Sequence, residues 1–261
     1  MPVIALMTDF GTRDHYVAAM KGIIFQINPK ATVVDVTHDI TRQDVFHGAF
    51  VLRQTLPFFP PETIFVAVVD PTVGTSRHIL AARYNERTII APDNGLLTLL
   101  HRDADLQEIR VVENRRFFAQ SLSSTFHGRD IFAPVAAHLS RGVALDHLGP
   151  VADHIEILDL ARPRVNENGT LDGEVAAIDH FGNLITNISV MDLSAARMPR
   201  RHLEVSVGPH RIGPIRTTYA DVAAGEPVAL IDSAQMLEIA VNRGSAAQAL
   251  GVTRGDPVTL R

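Results

Sequence analysis

Short runs of β-branched and other apolar residues alternate with segments of helical periodicity through the first third of the chain. Few architectures accept that pattern. Val3 to Met7 has the composition of a buried strand. Tyr16, Met20, Ile23, Ile24 and Ile27 then recur at helical spacing, and Asn28-Pro29 stops the helix. Ala31 to Val36 is a second β-branched run, Asp44 to Leu56 a second helix ending before Pro57, and Ile64 to Val69 a third strand. Parallel strands need a crossover between them, and a helix is the usual one. The alternation therefore predicts a mostly parallel sheet with helices on both faces. Ile79 to Tyr84 and Thr88 to Ala91 read as a hairpin around Asn85-Glu86-Arg87, and Gly95 to His101 and Asp130 to Leu139 as further helices.

The pattern changes near residue 160. Ala161 to Gly169 is polar and irregular and reads as a linker, taken as 161–170. Mostly short strands follow: Gly173 to Asp179, Leu184 to Ile188, His202 to Val207, Pro227 to Ile231, Leu237 to Val241 and Pro257 to Leu260. Turn residues such as Gly208-Pro209 and Gly225-Glu226 separate them. Ser245 to Leu250 reads as one short helix, with Ser245 as N-cap and Gly251 at its end. The fold class is therefore α/β: a larger N-terminal α/β domain over 1–160, and a smaller C-terminal β-rich, barrel-like domain over 171–261.

With 261 residues, 46% of them hydrophobic, the chain can bury a sizeable core. A net charge of -5 gives no footprint for nucleic acid or an anionic membrane. The absence of cysteine excludes disulfides and thiolate metal sites. No apolar run approaches the ~18 residues that a spanning helix needs, and no secretory pattern opens the chain, so a cytoplasmic location is expected. Asn168-Gly-Thr170 and Asn187-Ile-Ser189 match the glycosylation pattern and read as chance. Twelve histidines raise the question of metal. His38-Asp39 resembles the dipeptide of metal-dependent phosphohydrolases but lacks the further ligands such a site needs, so no metal is expected. Arg254-Gly-Asp256 reads as a turn, and no complete phosphate or dinucleotide loop is present.

The chemistry concentrates in two segments. Asp70-Pro-Thr-Val-Gly-Thr-Ser-Arg77 places a carboxylate at the end of a buried strand, then a Pro/Gly turn, then a cation. Open α/β sheets present reactive groups in this position, at the strand C-termini. Ser124-Thr-Phe-His-Gly-Arg-Asp130 adds His127. Asp70, Arg77 and His127 together have the means to orient a water molecule and accept its proton. They are equally readable as a structural ion pair beside a core histidine. Asp9 reads either as a turn aspartate or as a carboxylate whose two oxygens meet a cis-diol.

These segments, together with Thr8-Asp9-Phe10-Gly11, Asp35-Val-Thr-His-Asp39, Pro92-Asp-Asn-Gly95, Ile178-Asp-His-Phe-Gly-Asn183 and Ile239-Ala-Val-Asn-Arg-Gly244, resemble the S-adenosylmethionine hydroxide adenosyltransferases. These are adenosine-forming S-adenosylmethionine hydrolases related to the fluorinase and chlorinase. The resemblance runs over nearly the whole chain. It implies hydrolysis of S-adenosylmethionine to adenosine and L-methionine by attack at C5′, without a cofactor, in a homotrimer with sites between subunits. Asp70, Arg77 and His127 take the catalytic positions. Asp9 matches the ribose-binding aspartate, with Phe10, Thr125 and Phe126 around the ribose and C5′. Asp179 matches the contact to the methionine amino group, Phe181 a purine-stacking ring and Asn183 an adenine contact. Ser233, Asn242 and Arg243 match positions near the methionine carboxylate and adenine. Where the fluorinase has a tyrosine, a threonine and a tryptophan around its halide, this chain has Asp70, Val73 and Gln43, and Ala234 replaces an arginine at the methionine end. A carboxylate beside the nucleophile repels a halide, which favours water. The alternatives are a halogenase-like enzyme, a non-catalytic nucleoside-binding protein and a metal-dependent phosphohydrolase.

Overall fold

A computed structural model describes residues 2–198 and 203–261, and the chain divides into two compact units at Leu158/Asp159. The first unit contains β1 (Val3–Thr8), α1 (Tyr16–Ile27), β2 (Thr32–Thr37), α2 (Val45–Thr55), β3 (Ile64–Val68), β4 (Ile79–Tyr84), β5 (Arg87–Pro92), α3 (Thr98–Asp103), β6 (Leu106–Val111) and α4 (Ala133–Leu139). Its sheet runs β2-β1-β3-β5-β4-β6. The pairs β2–β1, β1–β3 and β3–β5 are parallel, and β4 is antiparallel to both β5 and β6.

Burial on both faces explains why β1, β3 and β5 read as near-continuous apolar runs. Along β1, Ile4 and Leu6 pack with Met20 and Ile24 of α1 and Val135 and Ala136 of α4, whereas Ala5 and Met7 pack with Leu52 of α2 and Leu100 of α3. The period-2 alternation thus sends successive side chains to opposite cores. The hairpin of β4 and β5 closes through Asn85 and Glu86, both at positive φ, as a two-residue turn between twisted strands requires. Strand order reverses beside β1: the chain crosses to β2 on one side and then to β3 on the other. Thr8 and Val68 are register partners there, so the segments following β1 and β3 emerge side by side at the switch point.

The second unit contains β7 (Arg164–Val165), β8 (Leu171–Ile178), β9 (Leu184–Ser189), α5 (Val190–Ala195), β10 (Glu204–Val207), β11 (His210–Arg216), β12 (Pro227–Ile231), β13 (Met236–Val241), α6 (Ala246–Leu250) and β14 (Pro257–Leu260). The order β14-β10-β11-β12-β13-β9-β8 closes on itself through β14–β8, giving a seven-stranded barrel with β7 added to β8. All pairs are antiparallel except β11–β12. Val175, Leu184, Val205, Ala229, Leu237, Ile239 and Val258 fill its interior. Ser245 caps α6 by accepting from the Gln248 amide, and Gly251 ends it at φ 63.

Several elements depart from the sequence reading. β6 was not expected, because Leu106-Gln-Glu-Ile-Arg-Val carries charges suited to an edge strand rather than a buried run. β11 was not expected, since Gly213 and Pro214 both disfavour a strand interior, nor was α5, which follows β9 without a loop; its Ser189/Asp192 capping box was the available signal. The segment 161–170 contains β7 and an Asn166–Thr170 turn. Asp130 lies not in regular α-helix but in a π-helical turn, Gly128–Phe132, that leads into α4. His202 lies outside the described residues.

Candidate active site

Asp70 follows β3 and Asp9 follows β1, which places both acids at the switch point. The turn carrying Asp70 is tied down locally: the Val73 amide donates to the Asp70 carbonyl at 3.2 Å, and Thr75 Oγ1 to the Thr72 carbonyl at 2.8 Å. Asn94, from the turn after β5, donates its side-chain amide to the Val69 carbonyl at 2.9 Å. That contact accounts for one residue of the Pro92–Gly95 motif.

The chain then doubles back so that Arg77 meets Asp70. Arg77 Nε lies 3.0 Å from both carboxylate oxygens, and a terminal guanidinium nitrogen also donates to Asp70 Oδ2. The same terminal nitrogen reaches His127 Nδ1 at 3.0 Å, across 50 residues of sequence. Only 8% of the Arg77 side chain and 4% of the Asp70 side chain are exposed, so the pair is withdrawn from water and little screened. Arg77 also lies over the Phe132 ring, 5.9 Å from its centroid.

This contact fixes the state of His127. An arginine nitrogen only donates, so Nδ1 must accept, and in the neutral ring the proton sits on Nε2. Burial, and then the positive charge of Arg77, push the His127 pKa below its ordinary value, outweighing the pull of Asp70 and Asp130. The cluster is therefore a carboxylate–guanidinium pair beside a neutral imidazole, whose Nε2–H has no protein acceptor among the described residues.

His127 is held in place by the loop before the π-helical turn. Asp130, 1% exposed, accepts from the Ser123 amide at 2.7 Å and from Arg129. Burial raises its pKa, but these hydrogen bonds outweigh that and keep it lowered. Gly74, at φ +81, sits against this loop: a Cβ there would lie 2.3 Å from the Ser124 carbonyl oxygen. Glycine is needed at this point because it lets the Asp70–Arg77 turn touch the His127 loop. A π-helical turn beside a reactive histidine matches where such turns are commonly found.

Asp9 accepts from the Gln43 amide at 2.8 Å through Oδ2, and no protein donor to Oδ1 is present among the described residues. Gln43 adopts φ 62. Phe10, Tyr16 and Phe126 form an edge-to-face cluster with centroids 5.1 to 6.0 Å apart. Tyr16 was read only as a helix residue; its place in this cluster comes from packing. Thr125 is exposed and bonded to Ser123 Oγ.

The other expected positions lie in the second unit. Asp179, Phe181 and Asn183 form one turn between β8 and β9. Asp179 Oδ1 accepts from the amides of Phe181 and Asn183 at 2.9 and 2.8 Å, and Oδ2 from the Asn183 side chain at 3.0 Å. The Phe181 ring is 74% exposed, whereas Asn183 is buried. Gly182 packs on Ser245 and accepts from the Ala247 amide at 2.9 Å, which sets this turn beside the Arg243–Ser245 turn. Arg243 is exposed at φ 59, and Ser233 is exposed in the turn organised by Asp232. Asn242 donates its side-chain amide to the Val222 carbonyl at 2.8 Å, which ties the turn after β13 to the segment before β12.

Sequence reasoning passed over Glu238, a lone acid within apolar β13. It is 4% exposed, accepts from Tyr219 Oη at 2.8 Å, and has a raised pKa because of burial and the nearby Asp179 and Asp232. The available signal was the interruption of Met236–Val241 by a charge. His38 turns inward to Thr8 and Asp35, and among the described residues no group of three potential metal ligands occurs. No helix among them is long and apolar enough to cross a membrane.

Comparison with known sequences decides the family. Residues 4–149 match the model of the S-adenosylmethionine (SAM) hydroxide adenosyltransferase N-terminal domain, and residues 173–259 that of its C-terminal domain. The chain belongs to this family. Among the SAM hydroxide adenosyltransferase relatives, it is 40% identical over 259 residues to the (R)-S-adenosyl-L-methionine hydrolase of Salinispora tropica, covering 98% of this chain and 96% of that one. It is 32% identical to a fluorinase of Actinopolyspora mzabensis, over 99% and 97% of the two chains. The crystal structure of an uncharacterized conserved protein from Thermotoga maritima matches with a TM-score of 0.92 at 40% identity, covering 99% of each chain. The matches span the whole SAM hydroxide adenosyltransferase architecture, both the α/β unit and the barrel.

Proposed function

We propose that this chain hydrolyses S-adenosylmethionine to adenosine and L-methionine, with water as the nucleophile at C5′. The observation that carries the reading is the buried Asp70–Arg77–His127 cluster at the sheet's switch point. The water oxygen bonds to C5′ as the C5′–S bond breaks. Methionine leaves with the bonding pair as a neutral thioether, so no acid is needed to protonate it. The chemical difficulty lies in the nucleophile, which must lose a proton.

The three side chains divide that task. His127 holds a lone pair of the water through Nε2–H, and Asp70 receives the proton because Arg77 never yields one and His127 Nδ1 is already committed. Arg77 holds the Asp70 carboxylate in place through Nε and a terminal nitrogen, and stabilises hydroxide character as it develops. Hydroxide meeting a sulfonium cancels charge, so a water-poor pocket favours the transition state over the separated ions. Asp9 receives the ribose hydroxyls, and the Phe10–Tyr16–Phe126 wall excludes bulk water on that side. For Asn183 and Phe181 the family resemblance supports a contact to adenine, and for Asp179 one to the methionine ammonium. The carboxylate of Asp70 excludes a halide by repulsion, which separates this reading from the fluorinase reaction.

No cofactor enters the scheme, and full activity after dialysis against a chelator tests that. The family resemblance supports a homotrimer with sites between subunits, tested by light scattering of the purified protein. A cytoplasmic location is part of the same proposal and is tested by fractionating cells that express the chain. The direct experiment is incubation with S-adenosylmethionine followed by chromatography. Adenosine and methionine should appear in equal amounts, and in water enriched in oxygen-18 the label should sit on the adenosine 5′-oxygen. Unlabelled adenosine would overturn the mechanism.

A further inference from the structure

Beneath the turn that carries Asp9 runs a chain of hydrogen bonds that the reaction scheme does not use. Lys21 Nζ of α1 donates to Asp35 Oδ2 of β2 at 2.7 Å, and Asp35 Oδ1 lies 3.0 Å from His38 Nε2. His38 Nδ1 lies 2.9 Å from Thr8 Oγ1, and Thr8 Oγ1 accepts from the Phe10 amide at 3.2 Å. The carbonyl of His38 accepts from the Gly11 amide at 2.8 Å. Thr8 is fully buried and His38 is 3% exposed.

The directions of these bonds follow from chemistry. Asp35 is ionised: burial raises its pKa, but the hydrogen bonds from Lys21 and His38 bring it below the ordinary value. It therefore accepts from His38 Nε2–H. In that tautomer of the neutral ring Nδ1 is an acceptor, and the Thr8 hydroxyl donates to it while keeping a lone pair for the Phe10 amide. The Thr8 hydroxyl is thereby held between His38 Nδ1 and the Phe10 amide. The two amides that follow Asp9 are both gripped, one through Thr8 and one by the His38 backbone. Gly11, at φ +68, lets the chain turn into that grip.

We propose that Thr8, His38 and Asp35 are positioning residues for the Asp9 carboxylate, fixing it for the ribose hydroxyls without touching substrate. The proposal rests on the reading of Asp9 as the ribose-binding group. It assigns Asp35-Val-Thr-His-Asp39 a role other than metal binding or strand structure alone. Without the Thr8 hydroxyl the Phe10 amide loses its buried acceptor, the turn relaxes, and the carboxylate loses its alignment with the diol.

The test compares the affinities of adenosine and 2′,3′-dideoxyadenosine by calorimetry. A general loss of structure weakens both ligands, whereas misplacement of Asp9 weakens only the one with hydroxyls. Parent protein should prefer adenosine, and Asp9→Ala should remove the preference; if it does not, the ribose reading of Asp9 fails and the proposal with it. If Asp9→Ala behaves as expected, Thr8→Val should cut the preference on the order of tenfold. Dideoxyadenosine binding should stay unchanged, and Thr8→Ser should restore the preference. Should Thr8→Val not fold, Asp35→Ala on the surface end of the chain carries the test, with a smaller loss of the same sign. Equal weakening of both ligands, or an unchanged preference, overturns the proposal while leaving Asp9 in its role.

Discussion

The two units hold their site residues in opposite ways. In the α/β unit, Asp70, Arg77 and His127 are joined side chain to side chain, across as many as 50 residues of sequence. In the barrel, Asp179, Phe181 and Asn183 are organised by one carboxylate reaching amides two and four residues ahead. The first arrangement exists only if two loops dock correctly, and it lowers the pKa of His127. The second is nearly complete within a single turn and leaves Phe181 open. Damage to the long-range cluster should therefore reach the chemical step, and damage to the local turn should reach binding.

Asp70→Asn gives the largest expected effect. It keeps the shape but removes the proton acceptor, so kcat should fall about 10²–10⁴-fold with little change in the affinity for adenosine. Steady-state adenosine formation and calorimetry check this, and a variant of near-parental kcat would break the comparison at its centre. Gly74→Ala comes next. The added methyl meets the Ser124 carbonyl at a left-handed position, so the Asp70 turn and the His127 loop must separate. The expected cost is about 1–3 kcal/mol of stability, with a fall in kcat larger than any rise in KM, read from melting and kinetics on the same preparation.

Asn183→Ala sharpens the contrast from the other side. Loss of a base contact should raise KM about tenfold at nearly constant kcat. A drop confined to kcat would show that the barrel turn takes part in the chemistry. The smallest effect concerns pH. His127 and His138 are both lowered below 6.5, each by burial first and then by a neighbouring arginine. The unfolded chain then binds more protons than the folded one as pH falls from about 6.5 toward the lowered values, so stability is greatest above 6.5 and declines through that window. Denaturation midpoints between pH 7 and pH 5 measure it. His127→Gln should flatten the dependence only in part, because His138 remains.

Much of the fold was legible because burial on both faces wrote itself into β1, β3 and β5 as continuous apolar runs, and Asn85-Glu86-Arg87 marked the β4–β5 hairpin. Strands that meet water were not: β6 alternates charges along an edge, and β11 contains Gly213 and Pro214, which a barrel strand tolerates where it bends. Among site residues, Asp70 stood out by its place at the end of a strand, and His127 by its place between an aromatic and a glycine. Glu238 did not, because a single acid inside an apolar strand says nothing about the Tyr219 hydroxyl waiting 19 residues away.

Local order along the chain determined which residues begin and end each strand and helix, because hydrophobic period, glycine and proline act over a few residues. It thereby set the acids Asp9 and Asp70 at the ends of β1 and β3. What only the tertiary structure decided is that β1 and β3 lie side by side, that Arg77 spans Asp70 and His127, and that His127 is neutral with its proton on Nε2. Those outcomes depend on strand order, on the tight passage at Gly74 and on burial, none of which exists until distant parts of the polymer have packed.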